Sequence, residues 1–70
     1  MLSEEKVKVM YQNALERATD YALDANTDKH ADELYQLHTY FAVSLGNVLE
    51  IDSRETMQNL KDMITMRYVR

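Results

Sequence analysis

A chain of 70 residues with no proline and a single glycine, Gly46, has few local means of reversing direction in a tight turn. Glycine supplies the positive φ of hairpin turns and proline presets their first corner, so a turn-rich all-β fold is hard to build from this sequence. Helices joined by short polar links need neither residue. Cysteine is absent as well, which excludes a disulfide framework and any thiolate zinc site. The length leaves room for one small domain, and residues 1–70 read as a single helical unit.

Hydrophobic spacing divides the chain into three helices. The first is expected over residues 4–25, with Ser3 as its N-cap and Glu4 and Glu5 suiting the positive end of the helix dipole. Val7, Tyr11, Ala14, Ala18, Tyr21 and Ala25 recur at gaps of four and three, and Met10, Leu15 and Ala22 widen the stripe. Asn26-Thr27-Asp28 is a turn-and-cap cluster. The second helix is expected over residues 28–49, with an inner line of Ala31, Leu34, His38, Phe41, Leu45 and Val48 flanked by Leu37 and Ala42. Gly46 either ends this helix as its C′ residue or lies within it at a cost of about 1 kcal/mol relative to alanine, and the register that continues through Val48 favours the second. Asp52 or Ser53 caps a third helix over 53–68, and Asp52 followed three residues later by Glu55 resembles a capping box. Its inward set is Met57, Leu60, Ile64 and Tyr68, with Met63 beside them. Links this short join antiparallel neighbours, so the expected architecture is all-α, an antiparallel three-helix bundle. The heptad spacing of the first two helices also admits a helical hairpin plus a third helix, completed by dimerisation.

The formal net charge of −4 is local. Residues 1–15 balance, residues 50–70 balance, and 34–49 carry no charge. The whole excess lies between residues 16 and 33, where Glu16, Asp20, Asp24, Asp28, Asp32 and Glu33 oppose only Arg17 and Lys29. Glu16, Asp20 and Asp24 stand at i, i+4 and i+8, a spacing that destabilises a helix by a few tenths of a kcal/mol per like-charged pair. With Asp28 they form an acidic ridge, read either as a solubilising face or as a docking surface for a basic partner. The uncharged window holds a second unusual feature. Tyr35, Thr39, Val43 and Gly46 follow one line outside the expected core arc, with Tyr40 and Asn47 nearby. That line serves either a central helix touching both neighbours or a self-association surface, which a core this small favours.

The residues for chemistry are sparse. His30 near a helix start reads as exposed, and His38 between Leu34 and Phe41 reads as a core or interface histidine with its hydrogen bond satisfied. No Gly-rich phosphate loop, HExxH pattern or nucleophile context is present, and no cofactor or metal is implied. Lys61, Arg67 and Arg70 with Tyr68 make too small and too balanced a basic cluster for nucleic acid, whose binding rests on cation–phosphate contacts. The start of the sequence lacks a basic n-region and an apolar h-region, and the window 34–49 is too short and too polar for a membrane span, so cytoplasmic residence is the expectation. Together these features describe a non-enzymatic acidic helical protein that works by protein–protein contact, as adaptor, regulator or inhibitor. It is expected to be a homodimer whose partner is another protein with a basic surface, without direct contact to nucleic acid or membrane. Three other readings remain: an inhibitor of a nucleic-acid-binding protein through the clustered acid, an oligomerisation module without a separate target, and a small DNA-binding regulator using the third helix.

Overall fold

The computed structural model describes residues 3–69. Helix α1 spans Glu4–Ala22, α2 spans Lys29–Val48 and α3 spans Ser53–Tyr68, with one 3₁₀ turn, Asp24–Asn26, between the first two. The architecture is the all-α three-helix bundle. Tyr21 stacks near His38 with ring centroids 5.8 Å apart, at the opposite end of α1 from the Tyr11–Gly46 contact, so α1 and α2 run antiparallel. Tyr11 bonds to Thr56 and Asn59 while Thr19 accepts from Tyr68, so α3 returns parallel to α1.

Each helix starts where a short polar side chain can satisfy a free backbone N–H. Ser3 accepts from Lys6 N at 3.2 Å, Asp28 from His30 N at 2.9 Å and Asp52 from Arg54 N at 3.0 Å. The first helix is shorter than its apolar register suggests. After Ala22 the backbone tightens into the 3₁₀ turn, where the Asp24 carbonyl accepts from both Thr27 N and Asp28 N, and Ala25 is half-buried within that turn. Helix α2 does run through Gly46. It ends in a Schellman motif, with Ile51 N donating to Gly46 O at 2.7 Å and Glu50 N to Asn47 O at 3.1 Å. Glu50 takes the left-handed position of that motif at φ 64°, where glycine is the usual occupant.

The core is small and lined with small residues. Tyr11, Ala14, Leu15, Ala18, Ala42 and Leu60 form its buried centre, with Tyr35, Leu45, Ile51, Met63 and Ile64 packed around it. Alanines at the α1–α2 contact let the two backbones lie close. At Gly46 the approach is closer still: a Cβ there would stand 2.7 Å from Thr56 Oγ1 and 3.1 Å from Tyr11 Cε2. One glycine is therefore where all three helices meet.

Two threonines complete the centre. Thr19 and Thr56 are both fully buried. Thr19 Oγ1 donates to the Leu15 carbonyl at 2.8 Å, and the Tyr11 hydroxyl donates to Thr56 Oγ1 at 3.1 Å while accepting from Asn59 Nδ2 at 3.1 Å. Buried hydroxyls without partners cost about 1–3 kcal/mol each, so this network ties the rotation of α3 to that of α1. It also turns α3 from its expected setting. Thr56 points inward and Met57, placed in the core by periodicity, is 44% exposed.

Candidate interaction surfaces

The acidic ridge is not one continuous line. Glu16 is exposed on α1, but Asp24 lies beyond the end of α1 in the 3₁₀ turn and does not continue the i, i+4 row. Two of its members have partners within the chain. Asp20 forms an ion pair with Arg67 of α3, and Asp28 caps α2. Hydrogen bonding from Arg67 to the Tyr68 hydroxyl, and then to Asp20, holds the guanidinium above its ordinary pKa. An arginine is already charged throughout the physiological range, so the pair provides no pH-dependent switch there. Part of the acidic cluster therefore closes joints of the bundle, between α1 and α3 and at the start of α2.

The residues read as a self-association patch are divided by the fold. Gly46 is buried against Tyr11 and Thr56 of its own chain and leaves the surface altogether. Tyr35 is half-buried against the core, Thr39 is half-buried with its hydroxyl donating to the Tyr35 carbonyl at 2.7 Å, and Val43 is half-buried. Tyr40, at 71% exposure, and Asn47 face solvent. The reason is a rotation of α2. Its inward side carries Ala31, Tyr35, Ala42 and Gly46, with Leu45 and Leu49 packed against the core, while Phe41 and Val48 of the expected seam turn outward. Ala31, Ala42 and Gly46 hold the closest approach because α1 presents alanines there, and close packing of two backbones is possible only between small faces.

The rotation leaves an apolar face uncovered. Phe41 and Val48, expected in the core, and Leu37, expected to flank it, are 48%, 68% and 46% exposed. Beside them an open groove of about 440 Å³ runs between α1 and α2, lined by Met10, Ala14, His38, Phe41 and Leu45 with Arg17 at its edge. A second groove, of about 600 Å³ between α2 and α3, is edged by Arg54, Lys61 and Gln58 around Tyr35, Met57 and Ile64. The first is the more apolar and is continuous with the bare side of α2. Leu37, Phe41, Ser44 and Val48 were readable from the spacing of α2 as a further heptad row. Only the orientation of the helix separates that row from the core row.

His38 stands at the wall of this groove. Its Nδ1 donates to the Leu34 carbonyl at 2.8 Å, which leaves Nε2 as the free ring nitrogen. The ring lies 5.8 Å from Tyr21 and meets Phe41 edge-on at 6.1 Å. Its contacts are those of an aromatic spacer between the helices. Among the described residues no group of three or more His, Cys, Asp or Glu side chains is placed to hold a metal ion, and no helix is long and apolar enough to cross a membrane.

The fold and its surfaces define a small three-helix bundle with one bare apolar face and an acidic segment partly engaged within the chain. No family model, curated protein or solved structure matches the chain.

Proposed function

We propose that this chain acts by protein–protein contact, as an adaptor, regulator or inhibitor without catalysis of its own, and that the contact is made by the bare side of α2 and the adjoining α1–α2 groove. The observation that carries this reading is the exposure of Leu37, Phe41 and Val48 on one face of one helix, beside a groove whose walls are almost entirely carbon. Contiguous apolar surface on a small domain marks an interaction site, because leaving it in water forfeits about 25 cal/mol per Å². The residues along it recur at helical spacing, so the complementary shape is the apolar stripe of another helix. The acidic residues take a secondary place here, since Asp20 and Asp28 already have partners within the chain.

A photo-reactive phenylalanine analogue placed at position 41 tests this in the native host. Position 9 serves as the control, because Val9 is 57% exposed and is not among the groove's lining residues. Protein adducts are expected from position 41 and not from position 9, and Met10→Glu should abolish them. Equal labelling from both positions, or none from position 41, would overturn the reading.

A further inference from the structure

We infer that the bare side of α2 is covered by α2 of a second copy of this chain, packed antiparallel about a two-fold axis between Ala42 and Val43. The inference rests on the interaction reading above and names the partner for that face.

The row made by half-buried Leu34 and the exposed Leu37, Phe41, Ser44 and Val48 has the spacing of a helix–helix seam. Leu34, Leu37, Phe41, Ser44 and Val48 follow gaps of three, four, three and four. At 100° per residue their mean direction lies roughly 130° around α2 from the inward line of Ala31, Tyr35, Ala42 and Gly46. Alternating gaps of three and four are what two helices need to mesh side chains at a shallow crossing angle. The bundle supplies no helix to this seam.

Three features point to a second copy as the occupant. The first is charge. A two-fold axis brings groups near it against their own copies, so a charged side chain there would meet its like. From Leu34 to Leu49 there is none. Arg17 of α1 lines the groove beside this row, so the charge that borders the interface belongs to α1 and not to the α2 seam. The second feature is volume. An axis between Ala42 and Val43 pairs each position with the one whose number completes a sum of 85. Phe41 then faces Ser44 of the other copy and Leu37 faces Val48, so the largest side chain of the row meets the smallest. A parallel register would set phenylalanine on phenylalanine and leave a gap between the serines. The third is area. Met10, Leu37, Phe41 and Val48 together expose on the order of 400 Å² per copy. With the groove walls and the rim around Tyr40, this approaches the lower bound of about 1,200 Å² in total for a stable interface. A core whose buried centre is six residues, three of them alanine, leaves the single chain in the range where a domain gains most from association.

Sedimentation equilibrium of the purified full chain, with far-ultraviolet circular dichroism on every variant, is the test. The expected mass is twice 8.2 kDa. Phe41→Glu should weaken association by about 100-fold or more while helicity at low concentration is kept, because the position is surface in the single chain. The register is tested by exchanging sizes across the axis. Phe41→Ser and Ser44→Phe should each weaken association by at least about tenfold, and the double variant Phe41→Ser/Ser44→Phe should recover most of that loss because every large residue again meets a small one. A monomer throughout the accessible concentration range would overturn the inference. In that case adducts from position 41 to a different protein would leave the interaction reading standing. A dimer indifferent to Phe41→Glu, or a double variant no better than the singles, would also overturn it.

Discussion

The two sides of α2 differ in how closely another helix can approach them. Toward α1 and α3 the helix presents Ala31, Tyr35, Ala42 and Gly46; toward solvent it presents Leu37, Phe41, Ser44 and Val48. A rule that places the most apolar stripe inside would choose the second set. The bundle chooses the first, because α1 opposes it with Ala14 and Ala18, and α3 sends Thr56 to within 2.7 Å of where a Cβ on Gly46 would stand. Dispersion between close backbones and the satisfied Tyr11–Thr56–Asn59 network outweigh the extra apolar area that the other face could have buried. In a chain of this length, the fit between faces decides which of two apolar rows becomes core.

That contrast can be broken most severely from the inside. Leu60 is 1% exposed, and Leu60→Ala should cost about 2–5 kcal/mol. The loss is comparable to the whole stability of a domain this size, so circular dichroism should show a largely unfolded chain. Gly46→Ala comes next. Helix propensity favours alanine by about 1 kcal/mol, but the added methyl must displace the buried Thr56 hydroxyl or the Tyr11 ring. A net destabilisation of about 1–3 kcal/mol is expected in urea unfolding, and a stabilised variant would show that the close approach is not what orients α2. Tyr11→Phe keeps the ring and removes the hydroxyl that joins Thr56 to Asn59. A loss of about 1–2 kcal/mol is expected, with Thr56→Val partly restoring stability in the double variant.

The end of α2 offers a change that favours neither side. Glu50→Gly relieves a non-glycine residue held at φ 64° and should raise stability by about 0.5–1 kcal/mol, measured as a higher thermal midpoint. The smallest effect belongs to the solvent side. Val48 is 68% exposed, and Val48→Gln in a chain too dilute to associate should alter stability by less than about 0.5 kcal/mol. A loss as large as that of Leu60→Ala would show that α2 turns its other side inward.

Much of the fold was legible in the residues. Ser3 caps the helix it precedes, and the structure selects Asp28 within the Asn26-Thr27-Asp28 cluster and Asp52 over Ser53, because a capping side chain acts within three residues. Val7, Tyr11, Ala14, Leu15 and Ala18 are buried on α1 as their spacing requires, and Leu60 is buried on α3. The candidate surfaces were less legible. The acidic row read from i, i+4 spacing assumed that α1 continues to Asp24, whereas the backbone tightens after Ala22. Gly46, read as opening the surface to a partner, opens the core to α1 and α3 instead. Thr19 and Thr56 carried no periodic signal of burial, since a threonine enters a core only when a carbonyl or hydroxyl is waiting for it.

Local physical chemistry thus determined the helical class, the number of helices, their starting points and the absence of charge from Leu34 to Leu49. Those properties depend on groups a few residues apart, and the chain carries them in any arrangement. The tertiary structure alone decided which row of α2 became core and which became surface. That choice depends on what faces each row from other helices, 10 residues away at Thr56 and 35 at Tyr11 in the case of Gly46. Gly46 meeting Tyr11 and Thr56 settles it for the inner side, and leaves Leu37, Phe41 and Val48 outside.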